Sequence, residues 1–338
     1  MPRLPALAFL FLALPPAALQ AEPLTIGISA PLSGPFAVLG RQITYGAQAA
    51  QAALGGEERI RLVIADDRCD ADGGKSAAAQ LSAAKVSAVI GYLCTPSLLI
   101  GLPSFRKDKV PVVTLGVRPV KVLEDAKKNG DALFRLGPDS GAEAEALAEL
   151  LLPLWRGNNF AIIDDGTIHA RELAESLRLA AVARGLKPVF VDTFRPALDN
   201  QLALVNRLKK SGATHVFVGG DRSDIAILAR DAAARGVTLT IAGGETLSAA
   251  PDDVPLADNV LMIGIPQNTK VEAASEGYFS SAYAAVEILL RTAGSAEAIG
   301  AGTHETNLGS VSFEADGGQS GNPYRLLVSK SGEFADTR

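Results

Sequence analysis

The chain has 338 residues, of which 48 % are hydrophobic, 20 % charged and only 5 % aromatic, with a formal net charge of −5. That composition is too apolar for a disordered chain, and the length suits about two domains. With no basic stretch, the electrostatic footprint of a nucleic-acid binder is missing, and two cysteines are too few for a disulfide-dense scaffold or a four-cysteine zinc site.

Residues 1–21, MPRLPALAFLFLALPPAALQA, have the layout of a secretory signal peptide: Arg3 ahead of an apolar run, and Ala21 as the small residue before the cut. A membrane anchor is the alternative. Pro15 and Pro16 interrupt the run, however, and it falls short of the ~18–20 apolar residues that a span needs. The expected product is exported to the periplasm, an oxidising compartment where Cys69 and Cys94 can form a disulfide.

Leu24–Ser29 reads as a buried strand, Gly40–Leu54 as a helix, Arg59–Ala65 as a strand, Lys75–Lys85 as a helix and Ser87–Ile90 as a strand. A helical stretch around Ile100–Lys107 precedes the strand Val110–Thr114. The alternation restarts with a helix at Ser140–Leu154, Ser140 standing as its N-cap. Strands at Asn159–Ile163, Pro188–Asp192, His215–Val218, Leu239–Ala242 and Leu261–Ile265 then alternate with helices at Arg171–Arg184, Leu198–Lys210 and Ser223–Arg235. Tyr283–Thr292 reads as a last helix, and the weaker segments after Ile265 as crossings between the halves. Two runs of βαβ units predict an α/β protein of two doubly wound parallel-sheet lobes. The expected division is residues 22–138 plus about 266–320 for lobe 1, and 139–265 plus about 321–338 for lobe 2. Ligands of such sheets sit beyond the carboxyl ends of the strands, so the loops of both lobes would face one cleft.

Several apparent motifs fail on inspection. Gly74-Lys75-Ser76 lacks the leading glycine of a phosphate loop, since Cys69 stands there. Asp70 and Asp72 suggest a calcium loop whose first and twelfth ligands would be Arg68 and Ala79, which cannot serve. His169, His215 and His304 have no zinc spacing, so no metal and no cofactor is expected. No Gly-x-Ser-x-Gly elbow occurs, and only Asp164, Asp165 and His169 would offer a secreted hydrolase a cluster. Trp155 ends a helix and suits lobe packing better than sugar stacking.

The block Asp66–Ser97 carries an Asp-Asp-x-Cys-Asp after the second strand and an Ile-Gly-x-Leu-Cys closing the third. With Ile26–Pro35, Arg207–Gly220, Gly243–Glu245 and Ser281–Ser295, it resembles the leucine/isoleucine/valine-binding proteins, type I periplasmic solute-binding proteins of ABC importers. The resemblance implies hinge crossings, a small amino-acid-like ligand in the cleft, delivery to an ABC permease and a monomer without enzymatic activity. It implies a Cys69–Cys94 disulfide, worth roughly 3 kcal/mol in the chain-entropy model; two free buried thiols are the alternative. Between Pro266 and Ser281 the chain is shorter than the family usually is, which bears on hinge geometry.

Position by position, the resemblance places Thr95 on the ligand carboxylate and backbone groups around Leu115, Gly116 and Val117 beside it. Arg118 stands where a threonine is usual, His169 where an aromatic is usual, and Asp221 or Arg222 where a tyrosine is usual. Glu245 matches the carboxylate that receives a ligand ammonium, Asp139 another acid near it, and Leu39 an aromatic covering the pocket. Arg118 pointing into the cleft would add a fork for carboxylates; turned outward it would pair with Glu124 or Asp125. The alternative for His169 and for Glu245 is a solvated loop position. The same fold could instead sense a ligand for a membrane receptor, and nothing in the chain separates that role from transport.

Overall fold

The protein is described from a computed structural model covering residues 22–249, 253–266 and 277–336. The expected signal peptide and residues 267–276 lie outside the described residues.

The first lobe alternates strands and helices: β1 (Leu24–Ala30), α1 (Ala37–Ala53), β2 (Ile60–Asp66), α2 (Ala71–Ala83), β3 (Ala88–Gly91), α3 (Thr95–Gly101), α4 (Pro103–Arg106), β4 (Val112–Thr114), α5 (Val120–Asn129) and β5 (Leu133–Arg135). Its five strands run in the order β2-β1-β3-β4-β5, all paired in parallel. Both faces are covered, as a parallel sheet requires. Ile26, Ile28 and Ile90 point into a core with Ile43 and Ala47 of α1; Val89, Val112 and Ala65 point the other way, against Leu81 and Leu98.

The second lobe begins with α6 (Ala142–Leu154) and continues through β6 (Phe160–Asp164), α7 (Ile168–Ala183), β7 (Phe190–Thr193), α8 (Leu202–Ser211), β8 (His215–Gly219), α9 (Arg222–Ala234), β9 (Thr240–Gly243) and β10 (Leu261–Gly264). The chain then returns to the first lobe with α10 (Phe279–Arg291), α11 (Ala296–Ala301) and the hairpin β11 (Thr303–Thr306) and β12 (Gly309–Ser312). The helix α10 lies against α1 so closely that a Cβ on Gly46 would stand 2.2 Å from the Phe279 carbonyl oxygen. A last crossing delivers β13 (Arg325–Lys330) and β14 (Glu333–Asp336) to the second sheet. That sheet runs β14-β13-β10-β9-β8-β6-β7, parallel from β7 to β10 and antiparallel beyond.

The sequence-predicted decoys have structural explanations. Asp70 caps α2 by accepting from the Gly73 amide at 2.6 Å. Gly74 lets α2 close on α3, since a Cβ there would lie 2.5 Å from the Ser97 Cα. Cys69 and Cys94 form the disulfide, with Cα atoms 5.1 Å apart, tying the loop after β2 to the start of α3. Trp155 is 1 % exposed and packs on Phe160 and His215, as a lobe-packing residue should. Ser140 does not cap α6. The N-cap position is Gly141, whose amide donates to the Asp139 carboxylate at 2.7 Å. Among the described residues no helix is long and apolar enough to cross a membrane.

Candidate functional site

The loops after β4, β5, β9 and β10 and the crossing segments around Gln319–Arg325 enclose a cavity of about 620 Å³. Leu115, Leu136, Pro138, Ile265 and Tyr278 give it apolar walls; Ser281, Gln319 and Ser320 add polar groups. Its charged lining residues are Arg118, Arg325 and Glu245. A smaller cavity of about 230 Å³ adjoins it at Thr246 and sits on the ends of β6, β8 and β9, lined by Asp165, His169, Asp221 and Gly244 among others.

Arg118 extends from the first lobe and meets Glu245 of the second. Its Nη1 donates to Glu245 Oε1 at 2.9 Å and its Nη2 to Oε2 at 3.2 Å. The Tyr324 hydroxyl donates to Glu245 Oε2 and accepts from Arg118 Nη1 at 3.1 Å. The loop holding Arg118 is fixed from behind: its carbonyl accepts from the Ser140 amide at 3.2 Å and from Arg135 Nη1 at 3.1 Å. Arg135 is 6 % exposed, and burial lowers its pKa. Glu245 is held in turn by its own amide, which donates to Glu143 Oε1 at 2.7 Å. A Cβ at Gly244 would lie 2.3 Å from that Glu143 oxygen, so a side chain there would push the Glu143 carboxylate aside.

These contacts shift the titrations. Burial works against the Arg118 guanidinium, but the charge and hydrogen bond of Glu245 and the nearby Tyr324 and Tyr278 hydroxyls together outweigh it and hold the group above its ordinary value. Burial, then the same carboxylate, pushes the Tyr324 hydroxyl far upward. His169 Nε2 lies 3.4 Å from Glu143 Oε2, an ion-pair distance rather than a good hydrogen bond. The Glu143 carboxylate raises the His169 pKa above its usual 6.5.

The residues carried over from the resemblance divide into those that meet and those that do not. Leu115, Arg118 and Glu245 share the larger cavity; His169 and Asp221 share the smaller. Arg118 does not turn to Glu124 or Asp125; Asp125 pairs with Lys121 and Lys128 instead. Arg222 is placed elsewhere: it is 7 % exposed and donates to the carbonyls of Leu247 and Gly332, both at 2.7 Å, with Phe334 under its guanidinium. Its length and charge serve to tie α9 to the β13–β14 turn. Asp139 spends its carboxylate on the Gly141 turn rather than on either cavity. Thr95, Gly116, Val117 and Leu39 do not line the two cavities: Thr95 opens α3, Leu39 lies on α1, and Val117 is 3 % exposed in the lobe core. Of the hydrolase cluster, Asp165 accepts from Thr167 and Asp164 from Gly166 and Thr193, while His169 faces Glu143. Among the described residues no group of three or more His, Cys, Asp or Glu could hold a metal.

The model of a family described as "Periplasmic binding protein" matches residues 23–286. The chain belongs to the periplasmic binding protein family. The Leu/Ile/Val-binding protein homolog 3 of Brucella melitensis is 28 % identical over 327 residues, covering 87 % of this chain and 88 % of its own. Two solved structures share the fold. One is an ABC transporter substrate-binding protein from Desulfitobacterium hafniense in complex with Leu (TM-score 0.66, 20 % identity, covering 93 % of this chain and 100 % of that one). The other is a solute-binding protein of an ABC transporter from R. palustris in complex with 4-hydroxybenzoate (TM-score 0.65, 15 % identity, 94 % and 96 %). The two-lobed α/β fold and the resemblance to Leu/Ile/Val-binding proteins therefore hold across the chain.

For this periplasmic binding protein, sequence reasoning missed Glu143, Tyr324 and Arg135. Glu143 carried a signal, being an acid on the apolar stripe it shares with Ala146 and Leu147. Tyr324 lies 79 residues beyond Glu245 and carried none.

Proposed function

We propose that this protein is a periplasmic solute-binding component of an ABC importer, capturing a small carboxylate-bearing solute between its lobes and handing it to a membrane permease. The lobes are residues 22–138 plus about 266–320 and 139–265 plus about 321–338, and the leader is cleaved near Ala21. The protein works as a monomer and carries out no covalent chemistry: affinity comes from hydrogen bonds, charge pairing and the exclusion of water as the lobes close. Leu115, Arg118 and Glu245 line the binding cavity, with His169 and Asp221 at its second-lobe margin.

The observation that carries this reading is Arg118, a half-buried guanidinium from one lobe reaching a cavity whose opposite wall belongs to the other. An arginine fork in a partly desolvated cavity suits a carboxylate. The kinship to a Leu/Ile/Val-binding protein and the neighbours holding Leu and 4-hydroxybenzoate fit a small organic acid. A thermal-shift screen of the mature chain against amino acids, dicarboxylates, aromatic acids, amides and sugars tests it. A ligand at 100 times its Kd adds about 2.7 kcal/mol to stability, so carboxylates are expected to raise the midpoint. A midpoint raised by sugars or amines and by no carboxylate would overturn it.

A further inference from the structure

The carboxylate best placed to receive an amino group is already occupied. Both oxygens of Glu245 are taken by the Nη1–Nη2 edge of Arg118, and the Tyr324 hydroxyl adds a second donor to Oε2. An ammonium brought to Glu245 would have to displace a charge-assisted bidentate pair, or sit against a guanidinium of its own sign. Arg118 has a second edge. Among the described residues none takes the hydrogen on its Nε or the second hydrogen on Nη2, and its side chain remains 34 % exposed. Those two donors are parallel and match the spacing of a carboxylate's oxygens. With Arg325 also on the lining, the cavity holds two cations against one carboxylate, beside the apolar walls of Leu136, Ile265 and Tyr278.

From this geometry we infer that Arg118 sets the ligand class: it replaces the ligand's ammonium at Glu245 and offers its Nε–Nη2 edge to an organic acid that has no amino group. The inference rests on the proposed role of the cavity as a small-acid site and narrows it. The lobe-to-lobe pair is then part of the binding site itself, and Glu245 positions Arg118 rather than touching the ligand. Tyr324 and Glu143 hold Glu245 in that orientation, from the crossing segment and from α6 respectively.

Matched pairs differing only by the amino group test the idea in titration calorimetry of the mature protein: leucine and 4-methylpentanoate, phenylalanine and 3-phenylpropanoate, phenylglycine and phenylacetate, aspartate and succinate. The expected result is that, in any pair that binds, the acid without nitrogen binds at least tenfold tighter. In Arg118→Met the acid loses affinity while Glu245 is left without its cation, so the ratio between the two members falls at least tenfold toward the amino acid. A merely structural loss would weaken both members alike and leave the ratio in place, which would overturn the inference. Equal or tighter binding of the amino acids by the unaltered protein would also overturn it, leaving the small-acid reading intact. Binding of neither member of any pair would overturn both.

Discussion

His169 stands half in water with one ring nitrogen 3.4 Å from a Glu143 oxygen. Its pKa is raised by that carboxylate, so the folded protein favours the imidazolium more than the unfolded chain does. The stabilisation is therefore complete below about pH 6.5 and fades as the pH rises through the raised folded value. Water screens a side chain this exposed, which keeps the effect under about 1 kcal/mol. Urea denaturation of the wild type and His169→Gln should show a stability difference at pH 5.5 that is lost by pH 9; a difference independent of pH would contradict it. Individual site residues were legible to unequal degrees. Glu245 follows a Gly-Gly pair at a strand end, and Arg118 sits in a strand-end loop, so each could be nominated from the chain. Their pairing spans 127 positions, and nothing local joins them. The sequence leaves Asp221 and Arg222 as alternatives for a related reason: a charge at a loop-to-helix junction can face the cleft or fold back, and here two carbonyls draw Arg222 back.

At the scale of elements, the sequence signal is enough where a strand is a continuous buried apolar run, as β1, β6 and β8 are, or where a helix buries a regular face, as α9 does. The short strand β5 is not legible in the sequence because three residues carry no period, and the only clear mark of α5 before it is Gly130, its left-handed cap. The β13–β14 hairpin had a readable signal in Ser331-Gly332, both at positive φ, which is the turn that a two-residue hairpin loop demands. The disulfide belongs to this scale too. It closes a loop 25 residues in sequence separation, from the end of β2 to the start of α3, and holds a turn in which Arg68 and Cys69 both adopt positive φ. The buried Asp67 carboxylate supports that turn by accepting from the Cys69 amide and from Ser29, each at 3.0 Å. Replacing both cysteines with alanine is expected to lower stability by about 3 kcal/mol. Guanidinium unfolding checks it, and an unchanged midpoint would show that the hydrogen-bonded turn alone holds the loop.

For the whole molecule, the decisive feature is that loops at the carboxyl ends of strands from both sheets line one cavity, with the chain passing between the sheets three times. The repeated βαβ pattern announced the two sheets, because parallel strands need crossover helices and those leave a long periodic trace. The cavity between the lobes was legible only as a general consequence of that topology. Part of its wall comes from the crossing segments, which have short elements and little periodicity, so those residues could not be assigned from the chain. The lobe-to-lobe ion pair of Arg118 and Glu245 is what turns the general cleft into a particular site. The direct measurement is a crystal structure of the mature protein grown with the tightest-binding acid of the matched pairs. The account predicts Arg118 still paired with Glu245 and the ligand's carboxylate oxygens about 2.8 Å from Arg118 Nε and Nη2. A ligand seated away from Arg118, or an Arg118 released from Glu245 and turned to solvent, would contradict it.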